Sequence, residues 1–277
     1  PFSQIARRFG LSVTTIMRKF DIISYGLPQL PECISIDEFR GNAGGEKFQC
    51  NLTNPVTHKV LDILPSKNTE KLYQYFLQFP LKERLKVKLV VMDLSSLFRS
   101  VMTTLFPNAE ITADKFHVIR LAVWAMENVR KKVQKQFYKE RRKWCKRSKR
   151  LLTTPENKLS SDEKLELNRL LRMSKELGTA YALKEYFYKI FQTKTKEAAT
   201  NQLSNWLMLA AESQLQEFRS CITTFTRWSN EIANIIDKQV TNAFTEGIHN
   251  KIKVIKRISF GVRNFNRFRN RILYLCA

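Results

Sequence analysis

The positions of three acidic residues constrain the fold of this 277-residue chain more than any other feature. Asp37 lies in the mostly apolar run 33–39, and Asp93 ends the apolar run 86–93. Glu246 lies much later, in a helix-like stretch. A single Asp at a strand end is more often a cap or turn residue than a ligand. Hard divalent cations such as Mg²⁺ prefer carboxylate oxygens, so a fold that brings all three together predicts a metal site.

The apolar pattern between residues 33 and 113 predicts strands and helices in the order βββαβαβ. The fourth strand is almost continuously apolar, which is typical of a central parallel strand. This order is that of an RNase H-like α/β core, in which Asp37 lies on the central first strand and Asp93 ends the strand beside it. The strands are expected at 33–39, 47–51, 59–64, 86–93 and 109–113, with helices at 69–79 and 97–105.

Residues 116–238 contain no strand-like alternation and predict helices throughout. Ser160 and Glu163 have the spacing of a capping box that opens a helix through Leu171. Because this stretch is too long for a connecting loop, we expect a large α-helical insertion. The expected division is a first part of the core at 33–120, an insertion at 121–238 that is most basic at 130–150, and a final part of the core at 239–277 that carries the Glu.

The N-terminal residues 1–25 predict a partial helix-turn-helix segment. Ala6 is small where two helices would cross, Gly10 allows the turn a positive φ angle, and Ser12 can cap the second helix. An ordinary helical hairpin without a DNA role is the alternative. The side chains expected to face a major groove are Thr14, Thr15 and Arg18.

The formal net charge of +23 predicts attraction to a polyanion and binding that weakens with salt. Between residues 130 and 150 there are 12 Lys or Arg and one acidic residue. Phe137, Tyr138 and Trp144 are interleaved with these cations as possible stacking groups for nucleic acid. A solvated helix face is the alternative interpretation of such a charge run.

The cysteines and apolar stretches exclude several classes of protein. Five scattered Cys without a Cys-x-x-Cys pair argue against a zinc ribbon or a disulfide framework within these residues. No stretch approaches the ~18–20 uninterrupted apolar residues of a membrane span. We therefore expect no membrane partner and a cytoplasmic location. Because Pro1 stands in place of an initiator Met, we also expect the sequence to be a fragment of a longer product.

Four other residues compete for places in the metal site. Glu38 should point to the opposite sheet face from Asp37, by strand alternation. Asp62 lies mid-strand and could contribute. Asp114 follows the fifth strand and is the main rival to Asp93 as the second ligand. Asp114 and His117 are spaced i and i+3, so His117 could orient the site or contact a phosphate; the alternative is a capping Asp with a partly buried His.

Several segments together resemble the ISL3 family of bacterial insertion-sequence DDE transposases. The resemblance implies an RNase H-like core and a Mg²⁺-dependent enzyme that cuts at element ends and joins 3′-hydroxyls to target DNA. It implies two metal ions, for which Mn²⁺ can substitute, and double-stranded DNA as partner. The segments that carry it are residues 36–41, 90–93, 106–109, 114–120, 241–257 and 261–265.

Matched residue by residue, the resemblance implies an acidic triad of Asp37, Asp93 and Glu246, which would be both catalytic and metal-binding. Ala243 and His249 depart from the family pattern, which more often has Gly and Asn there. The cysteine-rich zinc-binding segment with which family members usually begin is missing. Synapsis of two element ends implies a homodimer. The resemblance also implies a location at the bacterial nucleoid. The expected DNA contacts are Thr14, Thr15, Arg18, Lys115, His117, Arg120, Asn242, His249, Asn250, Lys251, Lys253, Lys256 and Arg257.

Two other functions compete with the transposase. A catalytically inactive or truncated remnant could bind DNA as a repressor through the helix-turn-helix and the basic surface. The other competing function is that of another RNase H-like nuclease, such as a junction resolvase. Acidic residues at all three positions favour the enzyme over the remnant. The helical insertion and the helix-turn-helix argue against a resolvase.

Overall fold

The computed structural model of the protein describes residues 1–276 and divides the chain into two compact units. The first unit contains residues 1–111 and the residues from 240 onward. The second unit contains residues 112–239. The chain thus leaves the first unit after the strand-rich region and returns to it near Glu246.

A mixed five-stranded sheet gives the chain an α/β architecture. Strands β1, β2 and β3 pair antiparallel in sequence, and β4 pairs parallel with β1. The sheet order is β3-β2-β1-β4-β5, so β1 is central. The strands are β1 (Cys33–Phe39), β2 (Gln49–Asn54), β3 (Lys59–Leu64), β4 (Leu89–Met92) and β5 (Glu110–Ala113).

The predicted element order is confirmed, with β2 shifted, β4 shortened from the expected 86–93 to Leu89–Met92, and an added helical turn before β4. Strand β2 runs from Gln49 to Asn54 instead of 47–51. The reason is local, because the Asn54 carboxamide oxygen accepts hydrogen bonds from the backbone N–H groups of Val56 and Thr57. That side chain closes the turn at its own position, so the strand continues up to it.

Fifteen α-helices lie within residues 1–276. Helices α6 to α13 belong to the second unit, and the others belong to the first. They are α1 (Phe2–Phe9), α2 (Val13–Asp21), α3 (Thr69–Phe76), α4 (Leu81–Arg84), α5 (Ser96–Leu105), α6 (Lys115–Gln136), α7 (Lys139–Arg147), α8 (Lys149–Thr153), α9 (Ser161–Leu171), α10 (Lys175–Ile190), α11 (Lys196–Glu212), α12 (Arg219–Arg227), α13 (Ser229–Lys238), α14 (Ala243–Ile258) and α15 (Phe265–Cys276).

Helices α1 and α2 form the tight pair that the sequence predicts. Gly10 ends α1 in the left-handed conformation at φ 63°, which Gly adopts without steric cost. Ser12 caps α2, with its hydroxyl oxygen accepting from Thr15 N–H at 3.0 Å. Ala6 is buried at the crossing. The geometry of a helical pair is therefore present, and a role in DNA binding stays a proposal.

The C-terminal helix α15 holds this pair against the first unit. Arg267 makes two hydrogen bonds of 2.7 Å to the Asp21 carboxylate at the end of α2. The Arg271 guanidinium lies 4.3 Å from the centre of the Phe2 ring, a cation–π contact. Asn270 donates to the Ile23 carbonyl at 2.6 Å. Residues from both ends of the chain thus stabilise one another.

The second unit is wholly helical beyond the end of β5. The rings of Phe187, Trp206 and Phe225 pack against one another in its core with centroid distances of 4.8–5.5 Å. The capping box of Ser160 and Glu163 is confirmed. After α11 the chain forms a 3₁₀ turn (Gln216–Phe218) followed by α12 and α13, which are separated by a bend at the buried Trp228.

Among residues 1–276, no helix combines the length and apolar character needed to cross a membrane.

Candidate active site

One face of the central strand β1 contacts helix α14. Side chains alternate along a strand, so Ser35, Asp37 and Phe39 share a face. The Ser35 hydroxyl donates to the Asn242 carboxamide oxygen just before α14, at 2.6 Å. The Asp37 Oδ2 atom lies 3.8 Å from Nδ1 of His249, and the His249 and Phe39 rings are 5.6 Å apart. The face that carries Asp37 is thus the face covered by α14.

Buried hydroxyl groups fix the first turn of α14, which carries Glu246. Thr245 and Thr53 of β2 share a hydrogen bond of 2.8 Å between their hydroxyls, and Thr245 also donates to Ser35 at 3.4 Å. All three side chains are fully buried. A hydrogen bond in such a setting is costly to lose, because a buried polar group left without its partner bears the full desolvation penalty. The network therefore sets the position of Glu246 relative to the sheet.

Asp37 lies on β1, and Asp93 directly follows the parallel neighbouring strand β4 at the same end of the sheet. Ile36 is the residue paired with Met92, so each Asp directly follows a paired position. Asp37 is 5% exposed, and its Oδ1 accepts from the Glu38 N–H at 2.7 Å. Asp93 is partly exposed just beyond β4. The structure therefore gathers Asp37, Asp93 and the helix of Glu246 in one unit.

The rival acidic residues of this unit have other partners. Glu38 lies on the opposite face of β1, as predicted, and pairs with Lys67 at 2.7 Å. Asp62 is buried and accepts two hydrogen bonds from Arg269 of α15, at 2.5 and 3.0 Å, and one from the Tyr75 hydroxyl at 2.7 Å. Burial, reinforced by the Asp62 charge, raises the pKa of Tyr75. Asp62 thus anchors α15 to the edge strand.

Asp114 and His117 form a local pair in the second unit. Asp114 caps α6, with Oδ1 accepting from the Phe116 N–H at 3.2 Å, while Oδ2 lies 2.5 Å from the His117 Nδ1 atom. Asp114 is buried, and His117 keeps about a fifth of its side chain exposed. Both carboxylate oxygens thus have partners in the first turn of α6, and a role of this pair in the metal site stays a prediction.

The family model for ISL3-type DDE proteins, described as Transposase, matches residues 34–272. The chain belongs to this transposase family. The match begins at the second residue of β1 and ends within α15, so it includes the β1 face, both strand ends and α14. The predicted resemblance is thereby confirmed.

Two curated proteins illustrate the similarity. The "Transposase for insertion sequence element IS1001" of Bordetella parapertussis is 25% identical over 240 residues, which cover 86% of this chain and 59% of that protein. An "ATP-dependent protease" of Lactococcus lactis subsp. lactis is 28% identical over 107 residues, 39% of this chain and 33% of that protein. The chain thus spans about three fifths of the first relative and one third of the second.

Within this family member, the DNA-contact candidates of α14 differ in exposure. Asn242 is buried against Ser35, so it supports the helix instead of facing solvent. Lys256 donates to the Arg40 carbonyl at 2.6 Å, and burial, with a contribution from Arg40, lowers its pKa. His249 is half-buried beside Asp37 and was expected to face DNA. The exposed members are Asn250, Lys251, Lys253 and Arg257.

The candidates at the N-terminus lie on the outer side of α2. Thr14 and Arg18 are exposed. The Thr15 hydroxyl shares a 2.8 Å hydrogen bond with the Ser12 hydroxyl and is half-buried at the cap. The α2 residues that contact α15 are Met17, Phe20 and Asp21, whereas Val13 and Thr14 in the first turn are exposed.

The basic segment 130–150 is mostly a solvent-facing surface, with one clear exception. Arg130 is 4% exposed and pairs with Glu127 through two 2.7 Å hydrogen bonds, so it belongs to the core. Of the expected stacking groups, Tyr138 is 91% exposed, whereas Trp144 donates to Glu166 at 2.9 Å. The exposed cations of this segment that form no ion pair with a carboxylate of residues 1–276 are Lys131, Lys135, Lys139, Arg141, Arg142, Lys143, Lys146, Arg147 and Lys149.

The remaining DNA-contact candidates lie in the first turns of α6. The Lys115 ammonium is 5.1 Å from the Phe191 ring, and burial lowers its pKa. Arg120 lies between two aromatic rings, those of Phe116 and Trp124. Neither ring was predicted to be functional. Their spacing of eight residues on one helix was the sequence signal that could have identified them.

Proposed function

We propose that this chain is the catalytic core of a DDE transposase that cuts DNA at the ends of an insertion sequence and joins the 3′-hydroxyls to target DNA. The proposal includes an RNase H-like core with the triad Asp37, Asp93 and Glu246. The observation that carries it is that Asp37 faces α14, the helix of Glu246, while Asp93 follows the strand paired in parallel with β1.

The chemistry of these donors fits a hard divalent cation. The three side chains offer only carboxylate oxygens, the ligand type that Mg²⁺ prefers, and Asp37 is almost wholly removed from solvent. In the proposal Asp37, Asp93 and Glu246 hold the ions. Two bound Mg²⁺ or Mn²⁺ ions would activate the attacking oxygen and stabilise the leaving oxygen of the phosphodiester.

The protein's other residues would orient these carboxylates. His249 keeps the Asp37 carboxylate facing α14, and the Ser35, Thr53 and Thr245 hydroxyls hold the first turn of that helix. Such fixed supports matter because an active-site group displaced by about 1 Å can cost on the order of 10²-fold in rate. The catalytic step would use water for cleavage and a DNA 3′-hydroxyl for joining.

Binding of double-stranded DNA would use the exposed cations. The helix-turn-helix offers Thr14 and Arg18, α14 offers Lys251, Lys253 and Arg257, and the basic segment continues along α7. Phosphate neutralisation supplies sequence-independent affinity. A homodimer that holds two element ends, near the bacterial nucleoid, completes the proposal.

The test is cleavage and joining on labelled DNA that carries the element ends, with Mg²⁺ or Mn²⁺ compared with EDTA. Wild-type protein should give metal-dependent products, and Glu246→Gln should give none while binding the DNA equally well. Tight, salt-sensitive binding without products from the wild type would favour the alternative, an inactive DNA-binding remnant.

A further inference from the structure

An exposed row of aromatic and cationic side chains runs along helix α6. Phe116, Arg120 and Trp124 are spaced by four residues, so they lie on one helix face. The Arg120 guanidinium carbon is 5.6 Å from the Phe116 ring centre and 4.7 Å from the Trp124 ring centre, within cation–π range. We call these three residues the aromatic stripe.

The stripe leaves much of its apolar surface in solvent. Phe116 is 50% exposed and Trp124 is 52% exposed. The same unit buries Phe187, Trp206 and Phe225 almost completely, so its core does accommodate large aromatic rings. Large apolar side chains that remain clustered at a surface often mark a binding site.

The charge at the centre of the stripe is also uncompensated. Among residues 1–276, Arg120 makes no ion pair with a carboxylate; its contacts are the two rings. A guanidinium that contacts rings and no carboxylate keeps N–H donors for a phosphate oxygen. The stripe therefore presents two π faces and one cation to the same ligand.

A nucleotide with an unpaired base fits this combination. Bases within a duplex are stacked on both sides and offer no face to a protein side chain, whereas an unpaired base can stack on an aromatic ring. Charge complementarity favours nucleic acid over another apolar partner. The stripe lies on the helix that leads into the basic segment, whose exposed members start at Lys131.

We propose that the aromatic stripe binds an unpaired nucleobase of the DNA substrate, with the Trp124 ring stacking on the base, Phe116 extending the aromatic surface and Arg120 contacting the phosphate. This inference rests on the proposed function only in taking DNA as the ligand. It adds a site that selects single-stranded or locally unpaired nucleotides, whereas the cations bind any DNA backbone.

The test compares two probes in the full chain. One is a mixed-sequence duplex with a single unpaired 2-aminopurine, and the other is the same duplex fully paired. Stacking of the unpaired base on a ring should quench its fluorescence. The variants are Trp124→Ala, Phe116→Ala and Trp124→Phe, with Met208→Ala as matched control because Met208 is 55% exposed on α11 in the same unit.

We expect Trp124→Ala to weaken binding of the unpaired probe about tenfold or more, the size of effect found for one stacked base, and to abolish quenching. Trp124→Phe should restore most of both signals, since a ring remains. Binding of the paired duplex should change by less than about twofold, and Met208→Ala should match the wild type.

Equal losses on both probes, or no loss on either, would overturn the proposal. So would a change in self-association of Trp124→Ala in sedimentation, because the stripe would then be a contact between copies of the chain. The titrations are performed in EDTA and repeated with Asp37→Asn. The titrations therefore test base binding without DNA cleavage, so this proposal and the proposed transposase activity can fail separately.

Discussion

The Nδ1 atom of His249 lies 3.8 Å from Oδ2 of Asp37, and the two residues join helix α14 to the central strand. The imidazole also packs on the Phe39 ring on the same strand face. Asp37 is the proposed ligand, and His249 is three residues after Glu246 on the helix. One side chain therefore links the two elements that carry the first and third proposed carboxylates.

Replacing His249 should reduce DNA cleavage without removing the fold. We expect His249→Phe, which keeps a ring against Phe39 but loses the imidazole nitrogens, to lower the cleavage rate by roughly 10–100-fold, as for other residues that orient a ligand. Asn, a residue more common here in the family, should retain more activity. Single-turnover cleavage rates and DNA affinity are the measurements; equal rates for both variants and the wild type would remove His249 from the site.

Asp114 and Asp93 can be distinguished by conservative substitutions. Asp114→Asn keeps an efficient helix cap and loses only the charge, whereas Asp114→Ala should lower the free energy of unfolding by about 1 kcal/mol through loss of the cap. If Asp93 is the second ligand, Asp93→Asn abolishes cleavage and Asp114→Asn retains most of it. The opposite pattern would assign the ligand to Asp114. Thermal unfolding and cleavage are measured on the same preparations.

The sequence predicted the order of strands and helices along the chain, and the roles of Ser12, Gly10 and the capping box, because these features depend on local sequence. It also predicted that Glu38 faces away from Asp37, since strand alternation is strict. It did not predict that the Asn242 and Lys256 side chains form hydrogen bonds within the protein. Their partners, Ser35 and the Arg40 carbonyl, are more than 200 residues away in the chain. Burial set by such distant partners is a property of the fold, not of the local pattern.

Replacing surface cations of the basic segment should affect DNA binding, whereas replacing the buried Arg130 should affect stability. Replacing exposed Lys139, Arg141 and Arg142 with Gln should weaken binding to all DNA sequences and lower the salt slope by roughly 0.9 for each lost phosphate contact. Arg130→Met should instead destabilise the fold by about 3–5 kcal/mol, since Glu127 would stay buried without its partner. An unchanged salt slope in the triple variant would indicate that the segment is only a solvated face.

The Glu127–Arg130 pair also predicts the response to acid. Burial alone would raise the pKa of Glu127, but the Arg130 hydrogen bond and charge outweigh it and hold the pKa below the usual value. The stabilisation is therefore present above about pH 4.5 and is lost as the pH falls through the lowered pKa. Glu127→Gln should unfold with a weaker dependence on pH below about 4.5 than the wild type. If the free energy of unfolding of the two proteins changed equally with pH below about 4.5, the Glu127–Arg130 pair would not be the source of this acid sensitivity.

Two arginines on helix α15 should differ in their effect on stability. Arg269 pairs with the buried Asp62, so Arg269→Ala should cost about 3–5 kcal/mol by leaving that carboxylate uncompensated. Arg267 pairs with Asp21 at the surface, where solvent screens the charges, so Arg267→Ala should lower stability much less. Denaturant unfolding of both variants checks the difference. Similar losses would show that the Asp62 contact does not anchor α15.

The most direct test of the proposed active site compares two neighbouring residues on opposite faces of β1. Asp37→Asn removes a proposed metal ligand, and Glu38→Gln removes a carboxylate that pairs with Lys67. We predict that Asp37→Asn lowers metal-dependent cleavage of element-end DNA by at least roughly 10²–10³-fold with unchanged DNA affinity, while Glu38→Gln stays within about threefold of the wild type. Full cleavage by Asp37→Asn, or an equal loss in both variants, would contradict the assignment of the site.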